Sequence, residues 1–145
     1  MQPGIFRSWW LAVALLIAPP TMLAEWEPVE IMGMSYPLLA RSARITGLVV
    51  VRLSVERDGS VKQAEPVSGH PLLAEAAKAN AEKWKFKQSG RNFGPARTPY
   101  LVYRFILAGS CAGNDCRTGF MVELPNFVVV TSEIPPLQVS EGRLQ

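Results

Sequence analysis

The most regular alternation of apolar and polar residues begins at Gly47, near the middle of the chain. Apolar side chains face one way and polar side chains the other, as in a half-buried β-strand. The two faces are Val49, Val51, Leu53 and Val55 against Arg52, Ser54 and Glu56. Asp58-Gly59 follows and is typical of a hairpin turn. The return strand is predicted over residues 61–68, with Pro66 at an edge or a bulge because proline has no backbone donor.

A helical period follows this hairpin and predicts a helix over residues 71–84, with Pro71 at its first position. Its apolar stripe consists of Leu73, Ala77, Ala81 and Trp84, opposite Glu75, Lys78, Glu82 and Lys85. Before the hairpin, Tyr36-Pro37 marks an extended step, since the residue before proline avoids the helical region. Residues 38–43 then have enough helix-forming character for one or two turns.

A third strand is predicted over residues 99–107, and both of its faces are substantially apolar. Two further strand-like segments follow at residues 120–124 and 127–131, separated by Pro125-Asn126. Residues 25–35 show no periodicity and read as a lead-in. The order strand–strand–helix–strand predicts an α+β domain, with helices packed on one face of a small antiparallel sheet and a β-hairpin added at its carboxyl-terminal end.

The amino-terminal segment reads as a targeting signal. Arg7 precedes an apolar run over residues 9–18, which Pro19-Pro20 ends. A run of this length is too short for a membrane-spanning helix, which needs about 20 residues. It fits the apolar region of a secretory signal over residues 1–24, cleaved near Ala24, and therefore an exported protein. The alternative is a protein anchored in the inner membrane.

Charge and cysteine content narrow the function classes. The net charge of +3 gives no electrostatic footprint for nucleic acid, and 48% hydrophobic residues argue against disorder. Cys111 and Cys116 are expected to form a disulfide in an oxidising compartment. A zinc site would need about four ligands, with His70 the only other soft candidate, and a redox pair usually has two intervening residues. No metal or other cofactor is expected.

No catalytic motif is found in the chain. It has no glycine-rich phosphate loop and no nucleophile elbow, and nothing places Glu56 and Asp58 around a cleft as an acid/base pair. His70 could be a base, but its place between Gly69 and Pro71 favours a turn or capping role. Trp84 and Phe86 could stack on a ligand, although their position favours the core. The sequence therefore predicts that the protein is not an enzyme.

Five motifs in order carry a family resemblance. They are Tyr36-Pro37-x-x-Ala40, Ile45-Thr46-Gly47, Asp58-Gly59-Ser60-Val61, Val67-Ser68-Gly69-His70-Pro71-x-Leu73 and Trp84-Lys85-Phe86. The series resembles the C-terminal domain of TonB, the energy transducer of the Gram-negative envelope, and places such a domain over residues 36–108.

The resemblance implies a periplasmic domain with two helices against a three-stranded antiparallel sheet. It also implies a protein or peptide partner, the TonB box of an outer-membrane transporter, which pairs with the last strand by β-augmentation. By motif order that strand is residues 99–107. The candidate partner-contacting side chains are Tyr100, Val102, Arg104 and Ile106.

The chain departs from the family in two ways. First, the resemblance implies a long proline-rich spacer that crosses the periplasm. In this chain only residues 25–35 could serve as a spacer, and they reach at most about 40 Å when extended. Residues 109–145 form an extension that is expected to occupy the partner-binding edge, most simply by antiparallel pairing with residues 99–107. The alternatives to a binding module are a structural envelope protein closed by its own extension, and an anchored component of a TonB transport system.

Overall fold

The computed structural model describes residues 25–89, 98–113 and 115–137. The predicted signal over residues 1–24 lies outside the described residues. In chain order the elements are β1 (Glu25–Glu30), α1 (Leu38–Ser42), β2 (Gly47–Val55), β3 (Val61–Ser68), α2 (Pro71–Ala81), β4 (Lys85–Ser89), β5 (Tyr100–Ser110), β6 (Thr118–Glu123) and β7 (Phe127–Ile134). Within these described ranges, no helix has the length and apolar character needed to cross a membrane.

Five strands form the main sheet in the order β3-β2-β5-β7-β6. The predicted hairpin of β2 and β3 is present, and β2 also pairs antiparallel with β5. Pro66 lies on the edge strand at a register shift, as the sequence predicts. With two short helices the protein is mostly β-sheet, and this arrangement agrees with the predicted α+β class.

The core lies between the helices and one face of this sheet. The inward-facing positions of β2 and β5 are buried, as their period of two predicts. They are Val49, Val51 and Leu53 on β2 and Leu101, Tyr103 and Phe105 on β5. Leu73, Ala77 and Ala81 of α2 pack on them, and so does Ala40 of α1. The predicted helical stripe is therefore the core-facing side of α2.

Helix α2 ends at Ala81, three residues earlier than the sequence predicts. Trp84 nevertheless remains in the core with 1% of its surface exposed. The chain turns after Ala81 so that Phe86, now on β4, also reaches the core. The amino terminus of α2 agrees with the capping role predicted for His70, since its Nδ1 accepts the backbone N–H of Leu72 at 3.3 Å.

Part of the predicted lead-in forms a strand, although the sequence shows no periodicity there. Residues Glu25–Glu30 form β1, which pairs antiparallel with β4 in a separate two-stranded sheet. Two exposed ion pairs join these strands, Lys85 to Glu30 at 2.9 Å and Lys87 to Glu27 at 3.6 Å. Exposed pairs contribute little stability, so they act mainly by favouring this register. Since β1 is part of the fold, residues 25–30 are not available as a spacer.

The extension pairs with β5, but through β7 and in parallel. The expectation of direct antiparallel pairing with residues 99–107 was therefore wrong. β6 runs antiparallel to β7 on its far side. The loop of Cys111 and Cys116 carries the chain past one strand position, which is about 5 Å wide. The physical reason is the difference in side-chain burial between the two strands. β7 has a run of buried valines, which suits a strand paired on both sides, whereas no residue of β6 is fully buried.

Candidate functional site

The strand that the resemblance assigns to a partner lies inside the sheet. β5 pairs with β2 on one side and β7 on the other, so it is not an edge strand in this structure. The backbone N–H of Val102 donates to Asn126 O at 2.9 Å, directly before β7. Pairing between β5 and β7 then continues from Val102–Phe127 to Ser110–Ile134. A partner strand can therefore pair with this side of β5 only if β7 is displaced.

The four candidate side chains of β5 lie together on the face of the sheet opposite the helices. Arg104 and Tyr100 are exposed, while Val102 and Ile106 are half-buried. The helices pack on the other face of the sheet, and we call this one the open face. The four side chains therefore share one surface. The backbone of β5 that carries them is already paired with β2 and β7.

β7 is held in place by core packing as well as by its ladder. Val128 and Val130 point towards the helices and are completely buried, and Ser132 on the same side is 3% exposed. Phe120 and Val122 of β6 pack on the margin of this core. The sequence signal for this placement is the Val128-Val129-Val130 run, which is apolar on both faces as interior strands are.

The outer side of β6 is the unpaired edge next to β7. The N–H of Glu133 donates to Arg117 O at 3.0 Å, which makes residues 117 and 133 a hydrogen-bonded pair. Bonded pairs alternate along an antiparallel ladder, so odd-numbered residues of β6 face β7. The backbone groups of Thr118, Phe120 and Val122 therefore point outwards and have no strand partner in the described part of the chain.

The opposite edge of the sheet is better protected against strand addition. β3 has Pro66, which lacks a donor, and two register shifts that disturb its ladder. Its exposed side chains include Lys62 and Glu65. Prolines, bulges and charges are the devices by which proteins block an exposed edge. β6 has neither a proline nor a bulge within Thr118–Glu123, so it is the more accessible of the two edges.

Two opposite charges mark the ends of β6. Arg117 immediately precedes the strand and Glu123 ends it, and both side chains are exposed. Within the described residues, neither side chain takes part in an ion pair. The Arg117 backbone is fixed by the Glu133 carboxylate, which accepts its N–H at 3.0 Å. Sequence reasoning began this strand at Phe120 and so missed Arg117 and Thr118, because the apolar run of residues 120–122 gives no sign that the strand starts earlier.

Two glycines of the resemblance motifs allow close backbone contacts. Gly69 has φ +120°, and a Cβ there would lie 2.6 Å from Val49 Cγ2 and 2.9 Å from Leu48 O. Gly59 has φ +88°, and a Cβ there would overlap the carbonyl of Phe86. Both positions accordingly need glycine. Gly59 is the point where the β2–β3 turn meets β4.

The remaining motif residues take part in packing, capping and turn contacts of the fold. Tyr36 is 2% exposed, and its hydroxyl donates to Ile45 O. Pro37 precedes α1 at its amino-terminal cap position, and Gly47 begins β2. Asp58 accepts the hydroxyl of Ser60 at 2.6 Å and its N–H at 3.0 Å, and these bonds lower the pKa of the Asp58 carboxyl. The Asp58 carboxylate therefore stabilises the β2–β3 turn.

Tyr103 and Asn80 form a buried polar centre behind the sheet. Asn80 Oδ1 accepts from Tyr103 Oη at 2.9 Å and from Trp84 Nε1 at 3.1 Å. Asn80 Nδ2 donates to Met32 O at 2.8 Å and Gly33 O at 3.3 Å. Burial raises the pKa of Tyr103, so its hydroxyl stays protonated and remains a donor. Sequence reasoning did not identify Asn80.

The predicted disulfide between Cys111 and Cys116 is confirmed. It links two residues of the segment that joins β5 to β6. Among the described residues, no group of three or more His, Cys, Asp or Glu side chains could hold a metal ion.

A comparison with family models finds a match to a known domain. The model of the Gram-negative bacterial TonB protein C-terminal domain matches residues 32–107, slightly more than half of the chain. The match ends within β5, so β6 and β7 lie beyond it. No match to a curated protein or to a solved structure was found.

Proposed function

Since this chain belongs to the TonB C-terminal domain family, we propose that it is a protein-interaction module that takes up a partner segment as an added β-strand at the outer edge of β6. Domains of this family are periplasmic and take part in envelope transport. The observation that carries the proposal is the row of outward backbone groups at Thr118, Phe120 and Val122. Such a row supplies the main-chain hydrogen bonds of β-augmentation.

The cost of removing β7 favours this edge over β5. Pairing at Tyr100, Val102, Arg104 and Ile106 would require β7 to leave, which would expose Val128 and Val130. Each fully buried valine contributes about 1.5–3 kcal/mol. The ladder between β5 and β7 would be lost as well. β6 requires no such displacement, and the extension in effect moves the accepting edge outwards by two strands.

The partner proposed is an extended segment of an outer-membrane transporter. Its backbone would pair with β6, while its alternate side chains would lie beside Met121 on the open face and beside Phe120 on the helix side. Met121 is 56% exposed and Phe120 is half-buried, so both sides of the edge offer apolar contacts. This combination gives affinity through the main chain and selectivity through the side chains.

Site-specific cross-linking in intact cells tests this proposal. A photoreactive amino acid at Met121 is expected to give an adduct that mass spectrometry identifies as an outer-membrane transporter. Thr118→Pro removes an outward donor and should abolish the adduct, whereas Thr118→Ala keeps the N–H and should retain it. The same probe at Leu39, an exposed position on α1, is the control. An adduct that is insensitive to Thr118→Pro would contradict pairing at β6.

The placement of β7 also supports a second candidate, a structural envelope protein. In that protein the side of β5 that pairs with a partner in the family is closed by the chain's own extension. In that case the extension completes the sheet and no transporter binds. The cross-linking experiment separates the two candidates, because a closed structural protein gives no transporter adduct from Met121.

The protein is further proposed to be exported and cleaved near Ala24, with an inner-membrane anchor as the alternative. The support is the short apolar run over residues 9–18, which Pro19-Pro20 ends. The mass of the protein recovered from the cell envelope is expected to match a chain that begins at or near Glu25. Recovery of the intact chain in the membrane fraction would favour the anchor.

A further inference from the structure

We propose that, when no partner strand is bound, the β6 edge pairs antiparallel with the β6 edge of a second copy of this chain about a two-fold axis. This inference rests on the proposed function in one respect, that β6 accepts an added strand. It names an occupant of the edge in the free protein. An unpaired edge without proline, bulge or lysine tends to associate with another strand, and self-pairing would satisfy it in a closed dimer.

The direction of the backbone groups restricts the register. Within β6, the residues that present their N–H and C=O groups outwards are Thr118, Phe120 and Val122, so hydrogen-bonded pairs across the axis must join members of this set. One register puts Phe120 opposite Phe120 of the second copy and Thr118 opposite Val122. All three residues of each copy then take part, which gives about six backbone hydrogen bonds.

Charge complementarity selects that register. It places Arg117 of each copy directly opposite Glu123 of the other, so two ion pairs form by symmetry. Both side chains lie exposed on the open face and have no ion-pair partner within the described residues. Shifting the axis to Met121 would put Arg117 opposite Pro125 and leave both charges unpaired. Opposite charges across strands stabilise pairing, and like charges oppose it.

The side chains between the charges also fit. In this register Met121 lies opposite Gly119 of the second copy, so a long exposed side chain faces a residue that has none. On the helix side, Phe120 and its counterpart meet at the axis, where both extend an apolar core margin. The self-complementarity of residues 117–123 in charge, shape and backbone direction is what favours a second copy over an unrelated strand.

Sedimentation equilibrium of the purified protein at several concentrations tests the inference. A monomer–dimer equilibrium is expected. Arg117→Glu or Glu123→Arg alone should raise the dissociation constant by at least about tenfold, because each places two like-charge pairs across the axis. The double variant R117E/E123R should restore the dimer to within about threefold. Glu75→Arg, an exposed reversal on α2, is the matched control and should change nothing.

A further pair of variants tests whether the backbone of β6 makes the contact. Thr118→Pro should prevent the dimer and Thr118→Ala should not, while circular dichroism shows that each variant is folded. A monomer at all concentrations, or a dimer that ignores both charge reversals, would overturn the inference. If the monomer still gave a transporter adduct from Met121 that Thr118→Pro abolished, the proposed function would stand without it. A charge-sensitive dimer with no transporter adduct would overturn the proposed partner and leave the self-pairing.

Discussion

Replacing Asn80 by leucine is expected to lower the free energy of unfolding by about 3–5 kcal/mol, because an unpaired buried polar group costs about 1–3 kcal/mol and several are left here. The substitution removes the acceptor for Tyr103 Oη and Trp84 Nε1 and the donor to Met32 O. Asn80 itself is 5% exposed, so water cannot readily replace it. Urea unfolding followed by tryptophan fluorescence measures the change.

Two controls test the stated cause. Glu75→Leu makes a similar change on the exposed side of the same helix and should alter stability by less than about 0.5 kcal/mol. Tyr103→Phe removes one of the donors, so Asn80→Leu should cost less in that background than in the native one. Equal costs in the two backgrounds would show that the hydroxyl of Tyr103 does not depend on Asn80.

Burying a charge in β7 is expected to free one side of β5 while leaving the other paired. Val130→Asp places a carboxylate at a fully buried position, which should release β7 and β6 together. The amides of Val102, Arg104 and Ile106 face β7, whereas those of Leu101, Tyr103 and Phe105 face β2. Hydrogen exchange read by NMR should fall in protection by about a hundredfold at the first three and much less at the others.

The alternation within one strand is the internal control for this prediction. Met121→Asp introduces the same charge on an exposed neighbour and should leave exchange along β5 unchanged. Equal loss of protection at all six amides would mean that β7 belongs to the same cooperative unit as the rest of the sheet. Selective loss would show that the part of the fold within the family match stands without the extension.

Short sequence patterns were enough to predict much of the fold. The alternation from Val49 to Val55 defines which side of β2 is buried, because successive side chains of a strand point to opposite faces. The Asp58-Gly59 turn joins adjacent strands and therefore also fixes their pairing. His70 and Pro71 begin α2 by local capping and a preset φ. Each of these signals acts over a few residues, which is why sequence reasoning could read them.

The candidate site was only partly accessible in this way. The face carrying Tyr100 and Arg104 follows from the period of β5, but the strand's neighbour does not. Arg117 and Glu123 become a matched pair of charges only once the outer side of β6 is known. Asn80 looked like an ordinary helix residue, because its partners Met32 and Tyr103 are distant in the chain.

The residue pattern was enough to predict the faces of the strands, the β2–β3 turn, the start of α2 and the family to which the domain belongs. The three-dimensional packing was needed to establish that β7 lies between β5 and β6, that β1 pairs with β4, and that Asn80 on α2 bonds both Met32 and Tyr103. The physical reason is that a strand's side-chain pattern records which side is buried, whereas its backbone bonds can accept any strand of suitable length. The neighbour is chosen by burial of the whole sheet, which here places the valine run of β7 in the interior and leaves the exposed β6 at the edge.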